Sequence, residues 1–524
     1  MRGEVHPPLP GETSPYARKG NADAPRSEES AEAIVAALEP DRDGYRLPSP
    51  GAEARRRAER KGEPTTVSLE SARRQKTGKQ LELPLEARGE APQNRRSGEA
   101  PTAANGDASS GDDHLMERVV ERGNLKAALK RVRQNKGSPG VDGMTVDELP
   151  KYLVENWVDI REQLLKGTYQ PKPVREVEIP KIGGGVRKLG IPSALDRFIQ
   201  QSVLQVLQPM FDPTFSEHSH GFRPGRRAHD AVCEAQKYIQ GGKRIVVDVD
   251  LEKFFDRVNH DVLLGKLEKR IRDKRMLGLI RRYLEAGIMV NGVVMDRYEG
   301  TPQGGPASPL LANVLLDEVD KELEKRGLSF VRYADDLNVY VGSQRAGEDA
   351  MRALRRLYAR LKLRVNEAKS AVDRPENRKF LGYSFWNRGD AVKRRVAPKA
   401  LEAMKERVRE ITNRNRGRSM GSVYQELRRY LVGWKAYFHL ADTPYVFQGV
   451  DTWIRHRLRM AQLKQWRRGT TVFRELKARG VPDRLAAAAA AQAKRWWNTA
   501  SHRALHIALP NSYFDGIGVP RLAP

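Results

Sequence analysis

Cysteine is almost missing: Cys233 is the single one in 524 residues. One thiol excludes a disulfide within the chain and any zinc site built on paired thiolates. It suits an intracellular, reducing compartment, and a cytoplasmic location is expected. Long apolar runs are also missing. Nothing approaches the ~20 residues that cross a bilayer, and the start, Met1-Arg2-Gly3-Glu4-Val5-His6-Pro7-Pro8, has no signal-peptide core, so no membrane partner is expected. Acidic residues are short of basic ones, 67 against 94, which leaves a formal net charge of +27. An excess of that size points to a polyanionic partner, most simply nucleic acid. Aromatics are scarce at the front: up to about residue 112 there is no Phe or Trp, and the aromatics are Tyr16 and Tyr45. A segment of Pro, Gly, Ser, Glu, Arg and Ala buries too little apolar surface to offset chain entropy, so residues 1–112 are expected to be a disordered polar extension.

What is present centres on Ser329-Phe330-Val331-Arg332-Tyr333-Ala334-Asp335-Asp336-Leu337-Asn338-Val339-Tyr340-Val341. Two runs rich in β-branched and aromatic residues flank adjacent acids, which predicts a hairpin with Asp335 and Asp336 at its tip. Adjacent carboxylates repel and favour a cation beside them; a solvated turn is the plainer alternative. Upstream, Arg244 to Leu251 reads as a buried strand running into acids, with Asp248 and Asp250 on one face. Asp250, Asp335 and Asp336 are therefore candidate metal ligands from two remote strand ends. Two Mg²⁺ ions, with Mn²⁺ as a substitute, suit such a set and phosphoryl transfer.

Between these strands lies Gly300-Thr301-Pro302-Gln303-Gly304-Gly305-Pro306-Ala307-Ser308-Pro309, with Ser308 expected as a helix N-cap. A helix over Ala350–Leu361 and a strand at Phe380–Phe385 follow. Strand, helix, hairpin, helix, strand is the order of a ferredoxin-like split βαβ sheet.

On the N-terminal side, helices are expected over 115–132, 146–165, 194–207 and 228–239. A strand at Val174–Pro180 leads into a glycine-tipped hairpin over Lys181–Pro192. Its cations Lys181, Arg187 and Lys188 suit a triphosphate, or are plain surface charges. Arg223 and Arg226, in the His220–Arg226 turn, contact template phosphates or pair with local carboxylates. Past Ala400 the chain reads as helices. Leu427, Tyr430, Leu431, Trp434, Tyr437 and Phe438 form an apolar stripe, and Arg455, Arg457, Arg459, Lys464, Arg467 and Arg468 are expected to face outward toward structured RNA or an A-form duplex.

From about residue 115 onward these motifs together resemble the reverse transcriptase/maturase proteins of bacterial group II introns. Asn135–Gly143 is similar to that lineage's extra N-terminal motif, and Asp250-Leu251-Glu252-Lys253-Phe254-Phe255-Asp256 to polymerase motif A. Gly300–Pro309 resembles the Pro-Gln-Gly motif, Tyr333–Asp336 the YxDD motif, Phe380–Gly382 the primer grip and Gly433–Phe438 a maturase segment. The resemblance implies an α+β right-hand polymerase with fingers at 113–243 and a ferredoxin-like palm at 244–392. Thumb/maturase helices at 393–480 and a C-terminal maturase or DNA-binding segment at 481–524 complete it. It implies RNA-directed DNA synthesis and help with intron splicing and mobility. The implied partners are intron RNA, an RNA template with a DNA primer, dNTPs and target DNA. Asp250 and Asp335 would hold the ions with Asp336 assisting, and Leu251 would offer its carbonyl. Phe255 would take the place of the gate against a ribose 2′-OH, and Gln303 would lie under the templating pair. Lys181 and Arg187 would bind the triphosphate, and Lys369 would stand near the leaving group. No His-Asn-His nuclease with paired cysteines is expected. A domesticated reverse transcriptase of the retron, defence or repair kind, and a non-catalytic splicing factor, are the rival readings.

Overall fold

Alternating side chains build the central sheet. In this computed structural model, residues 114–523 are described except 181–185, 291–292, 296, 303 and 414–416; for 180, 187 and 388 the backbone alone is described. The expected disordered extension lies outside the described residues.

The first helical stretch divides into α1 (Leu115–Val119) and α2 (Arg122–Gln134), because Glu121 takes an extended backbone between them. Helix α3 (Leu149–Lys166) ends at Gly167 in the left-handed region. Strands β1 (Val174–Pro180) and β2 (Val186–Ile191) form the antiparallel hairpin expected there. They are followed by α4 (Ala194–Phe211), α5 (Ala228–Gln240), β3 (Ile245–Val249), α6 (His260–Leu267) and α7 (Lys274–Glu285). Strands β4 (Ile288–Val290) and β5 (Val293–Met295) join the first hairpin in a sheet of order β2-β1-β4-β5. This second hairpin was not foreseen, although Asn291-Gly292 between two apolar runs is a turn signal in the sequence.

Next come α8 (Ser308–Lys325), β6 (Ser329–Tyr333), β7 (Asp336–Val341), α9 (Gln344–Arg360) and β8 (Ala371–Asp373). The central sheet has the order β6-β7-β3-β8 and is antiparallel throughout, which is ferredoxin-like connectivity. Its closing strand is β8, not the expected Phe380–Phe385. Leu381 and Gly382 have φ of 50° and 78°, and Phe380 and Tyr383 exchange backbone hydrogen bonds across this turn. The chain therefore reverses before β9 (Tyr383–Arg388), which pairs with β10 (Ala391–Val396) in a separate ribbon.

Period two sorts the central sheet between two cores. Val247, Val249, Phe330, Leu337, Val339 and Val341 face the N-terminal helices and α8. Val246, Val331 and Tyr340 face α5, the ribbon and the C-terminal helices. Those helices are α10 (Pro398–Ile411), α11 (Met420–Tyr437), α12 (Pro444–Trp466), α13 (Gly469–Lys477) and α14 (Asp483–Ala491). Short helices at Trp496–Ala500, Arg503–Ala508 and Asn511–Gly516 follow. Among the described residues no helix is long and apolar enough to cross a membrane.

Candidate active site

The expected hairpin is there, and its turn is Ala334-Asp335: Tyr333 pairs with Asp336 across it. Ala334 takes φ 58°, a left-handed conformation that a non-glycine residue adopts only under constraint from its surroundings. Strand β3 pairs with β7 so that Asp248 meets Asn338 and Val249 meets Leu337. One more residue along this register sets Asp250 opposite Asp336. Two strand ends separated by more than eighty residues in the chain thus present their acids at one edge of the sheet.

Asp250 is held by backbone. Its N–H donates to Ser370 Oγ at 3.0 Å and its carbonyl accepts from the Asn366 N–H at 2.8 Å. Leu251 stands opposite Val365 in an antiparallel bridge whose bonds are made by the neighbours, Glu252 N–H to Arg364 O and Asn366 N–H to Asp250 O. Successive carbonyls of an extended chain point to opposite sides, so the Leu251 carbonyl points away from residue 365. Ser370 and Asn366 were not singled out in the sequence; small polar residues just after a helix carry no distinctive pattern.

The electrostatics favour a cation. Asp250 Oδ2 lies 3.3 Å from Lys369 Nζ, yet this buried oxygen accepts no well-directed hydrogen bond. The Asp336 carboxyl is raised to about 7, by desolvation and by the carboxylates of Asp335, Asp248 and Asp250. Desolvation is the larger cause, and repulsion from these carboxylates adds to it. Asp248 is structural: burial raises its carboxyl, and Arg378 binds it at 2.6 Å. Among the described residues no group of three or more His, Cys, Asp or Glu cages an ion unaided. An all-oxygen set with one orphaned oxygen fits Mg²⁺, which completes its shell with water and substrate phosphate.

The Gly300–Pro309 loop is tied to motif A. Thr301 N–H donates to the Phe255 carbonyl at 2.7 Å and Gly300 N–H to the Val258 carbonyl at 2.7 Å; His260 Nε2 lies 2.7 Å from the Gly300 carbonyl. Ser308 is not the N-cap. It is the first residue of α8, and its Oγ donates to the Pro302 carbonyl, bracing the loop instead. Phe255, expected as a gate, is 7% exposed and packs edge-on against Phe254. Lys188 pairs with Glu176 at 2.9 Å. Lys181 and Gln303 lie outside the described residues, as does the side chain of Arg187. The primer-grip-like turn meets the maturase-like segment directly: Tyr437 OH donates to the Leu381 carbonyl at 3.0 Å, and the Phe438 ring closes on Gly382.

Several expected nucleic-acid contacts are corrected by burial. Arg223 is 8% exposed; its donors go to the Asp212 carboxylate and to the carbonyls of Asp212, Ser216 and Ser219. Arg455 is 1% exposed and binds Asp451, Asp515 and the carbonyls of Val519 and Pro520. Arg459 is buried against the Leu509 carbonyl and Asn511. Asp451, Arg455 and Arg459 recur every four residues, so they share the α12 face that receives Leu509–Ala523. Asp451 also accepts the N–H groups of Leu522 and Ala523. Arg226 pairs with Glu217, Arg457 stacks over Trp453 and Lys464 over Trp496. Arg467 and Arg468 are exposed. Arg455→Ala is expected to lower stability by about 3 kcal/mol, since it empties a buried site and takes the guanidinium from the buried Asp451 carboxylate and the Val519 and Pro520 carbonyls. Arg468→Ala should leave the melting temperature unchanged and reduce the salt slope of RNA binding by about one unit. Thermal denaturation and filter binding at several salt concentrations check the pair.

Comparison with known proteins follows the same division. Residues 179–385 match the family described as reverse transcriptase (RNA-dependent DNA polymerase), and residues 401–480 the group II intron, maturase-specific domain. The chain is 32% identical over 299 residues to Protein YkfC of Escherichia coli K12, covering 49% of this chain and 78% of that one. It is 37% identical over 206 residues to the group II intron-encoded protein LtrA of Lactococcus lactis, covering 39% of this chain and 34% of LtrA. Among solved structures, telomerase from Candida albicans overlaps with a TM-score of 0.36 at 13% identity, over 63% of this chain and 68% of that one.

Proposed function

Since the chain belongs to the group II intron reverse transcriptase/maturase family, we propose that it is an RNA-directed DNA polymerase that also binds intron RNA and promotes splicing and mobility. In this reading the β2-β1-β4-β5 sheet with its helices forms the fingers, the β6-β7-β3-β8 sheet the palm, and the helices from α10 onward the thumb and maturase domain.

The observation that carries the reading is the register: the β3–β7 ladder ends at the Val249–Leu337 pair, so the next residues are Asp250 and Asp336, and Asp250 raises the Asp336 carboxyl. Asp250, Asp335, Asp336 and the Leu251 carbonyl would hold two Mg²⁺ ions. When bound, the ions supply a more acidic primer 3′-hydroxyl and charge neutralisation at the leaving oxygen. The chain's own part is placement. Ser370 and Asn366 fix the Asp250 backbone, while the hairpin turn presents Asp335. Lys369, beside Asp250 and largely exposed, would meet the departing pyrophosphate. The loop braced by Ser308 and His260 would lie under the templating pair. The joined Leu381 and Tyr437 turn would steady the primer end. In-line attack of the 3′-hydroxyl on the dNTP α-phosphorus then needs little from the protein beyond orientation and charge.

The maturase half rests on the match over 401–480 and on the exposed cations after α12. Intron RNA, an RNA template with its DNA primer, dNTPs and target DNA are the partners this reading assigns. Asp335→Asn tests it. The variant should bind RNA as the unaltered chain does and extend a DNA primer on an RNA template only at background level. Normal extension would end the polymerase reading.

A further inference from the structure

Within that polymerase reading, we propose that Arg332 and Gly221 are positioning residues: a buried relay of Asp320, Arg332 and Asn313 fastens Gly221 to the Ala334 turn and so sets where Asp335 presents its carboxylate. Arg332 interrupts an apolar strand and is fully buried, as is Asp320 on α8. Its Nε donates to both Asp320 oxygens at 2.8 and 3.0 Å, and its Nη2 to Oδ2 at 2.5 Å. Its Nη1 donates to Asn313 Oδ1 at 2.8 Å and to the Ala334 carbonyl at 2.9 Å. The last bond reaches the residue that carries the left-handed turn.

The relay continues past the strand. Asn313 Nδ2 donates to the Gly221 carbonyl at 2.9 Å. Gly221 is pressed so closely on the turn that a Cβ there would stand 2.1 Å from the Ala334 nitrogen. Residues 218–221 lie along the edge of β6: Arg332 N–H donates to the His218 carbonyl at 2.9 Å, and His220 N–H to the Arg332 carbonyl at 2.8 Å. The turn is thus gripped through its carbonyl, its nitrogen side and its strand. A well-packed apolar pair in place of a buried ion pair is often as stable or more so. Stability alone therefore does not account for Arg332 and Asp320. The bond to Ala334 does, because only a donor can hold a carbonyl in a strained turn.

The test is single-nucleotide incorporation by Gly221→Ala and by Asn313→Leu, which keeps a similar volume but removes both of its relay bonds. Asp335→Asn serves as the reference for the polymerase reading. A displacement of the turn by about 1 Å should lower kcat about a hundredfold. The KM for dNTP and the Kd for primer–template should stay within about threefold, with rates referred to the folded fraction because the clash and the lost buried bonds lower the melting temperature. A kcat within threefold of the unaltered chain in either folded variant overturns the proposal. So does a loss of activity that merely tracks the loss of folded protein in both. An active Asp335→Asn would instead bring down the polymerase reading itself.

Discussion

Asp250→Asn is expected to reduce primer extension by at least about a thousandfold, equivalent to about 4 kcal/mol of lost transition-state stabilisation, while the protein melts no lower than before. The register places this carboxylate against Asp336, its backbone is pinned by Ser370 and Asn366, and one of its oxygens accepts no directed hydrogen bond. It is poised for a cation, and folding does not depend on it. Neutralising it removes one of the charges that raise the Asp336 carboxyl to about 7. That carboxyl should then titrate closer to the ordinary range, visible as a lower midpoint in a carboxyl-carbon NMR titration. The sign is definite: a folded pKa raised above the unfolded value costs stability as pH rises through the window between the two, so relieving it favours the folded state near neutrality. Asp248→Asn, two residues earlier on the same face, should lower the Asp336 titration likewise but differ in stability and turnover. Its carboxylate is engaged by Arg378, so the change costs about 1–3 kcal/mol of stability by leaving the guanidinium poorly paired and spares most of the turnover. Equal losses of activity in the two variants would contradict the assignment of roles.

Asp320→Ala should produce the largest fall in stability, about 3–5 kcal/mol, because it leaves Arg332 charged and uncompensated in a fully buried site. Chemical denaturation should show the midpoint moving with little change in slope. Adding Arg332→Leu should recover much of the loss, since the double variant no longer buries an unpaired charge. Turnover should not recover with it, because the Ala334 carbonyl has then lost its donor. A double variant no more stable than Asp320→Ala alone would show that the pair does not account for the penalty.

Much of the catalytic edge is legible in the residues themselves. The hairpin, its acidic tip and the acid-bearing strand follow from side-chain alternation and from turn composition, while their convergence depends on the pairing of β3 with β7. The loop before α8 is legible from its glycines, while the role of Ser308 is not, since capping and bracing use the same hydroxyl. The closing strand was misplaced because Phe380–Phe385 is apolar enough to read as one strand, and only its left-handed Leu381 and Gly382 reveal the reversal. Arg332 stands in plain view inside an apolar run, and a charge in such a place is itself a sign of a buried partner.

The basic residues divide the two kinds of knowledge most clearly. Composition and spacing by themselves determined that this chain carries a large positive excess, where its acidic hairpin and most of its helices run, and which acids share a face. These follow from local periodicity and from net charge. Only the tertiary structure decided that Arg223, Arg332, Arg455 and Arg459 are interior ties while Arg467 and Arg468 face solvent. The physical reason is that a guanidinium looks the same in sequence whether it meets water, a phosphate or a buried carboxylate. Its role is set by partners such as Asp212, Asp320 and Asp515, which only the folded chain brings within hydrogen-bonding distance.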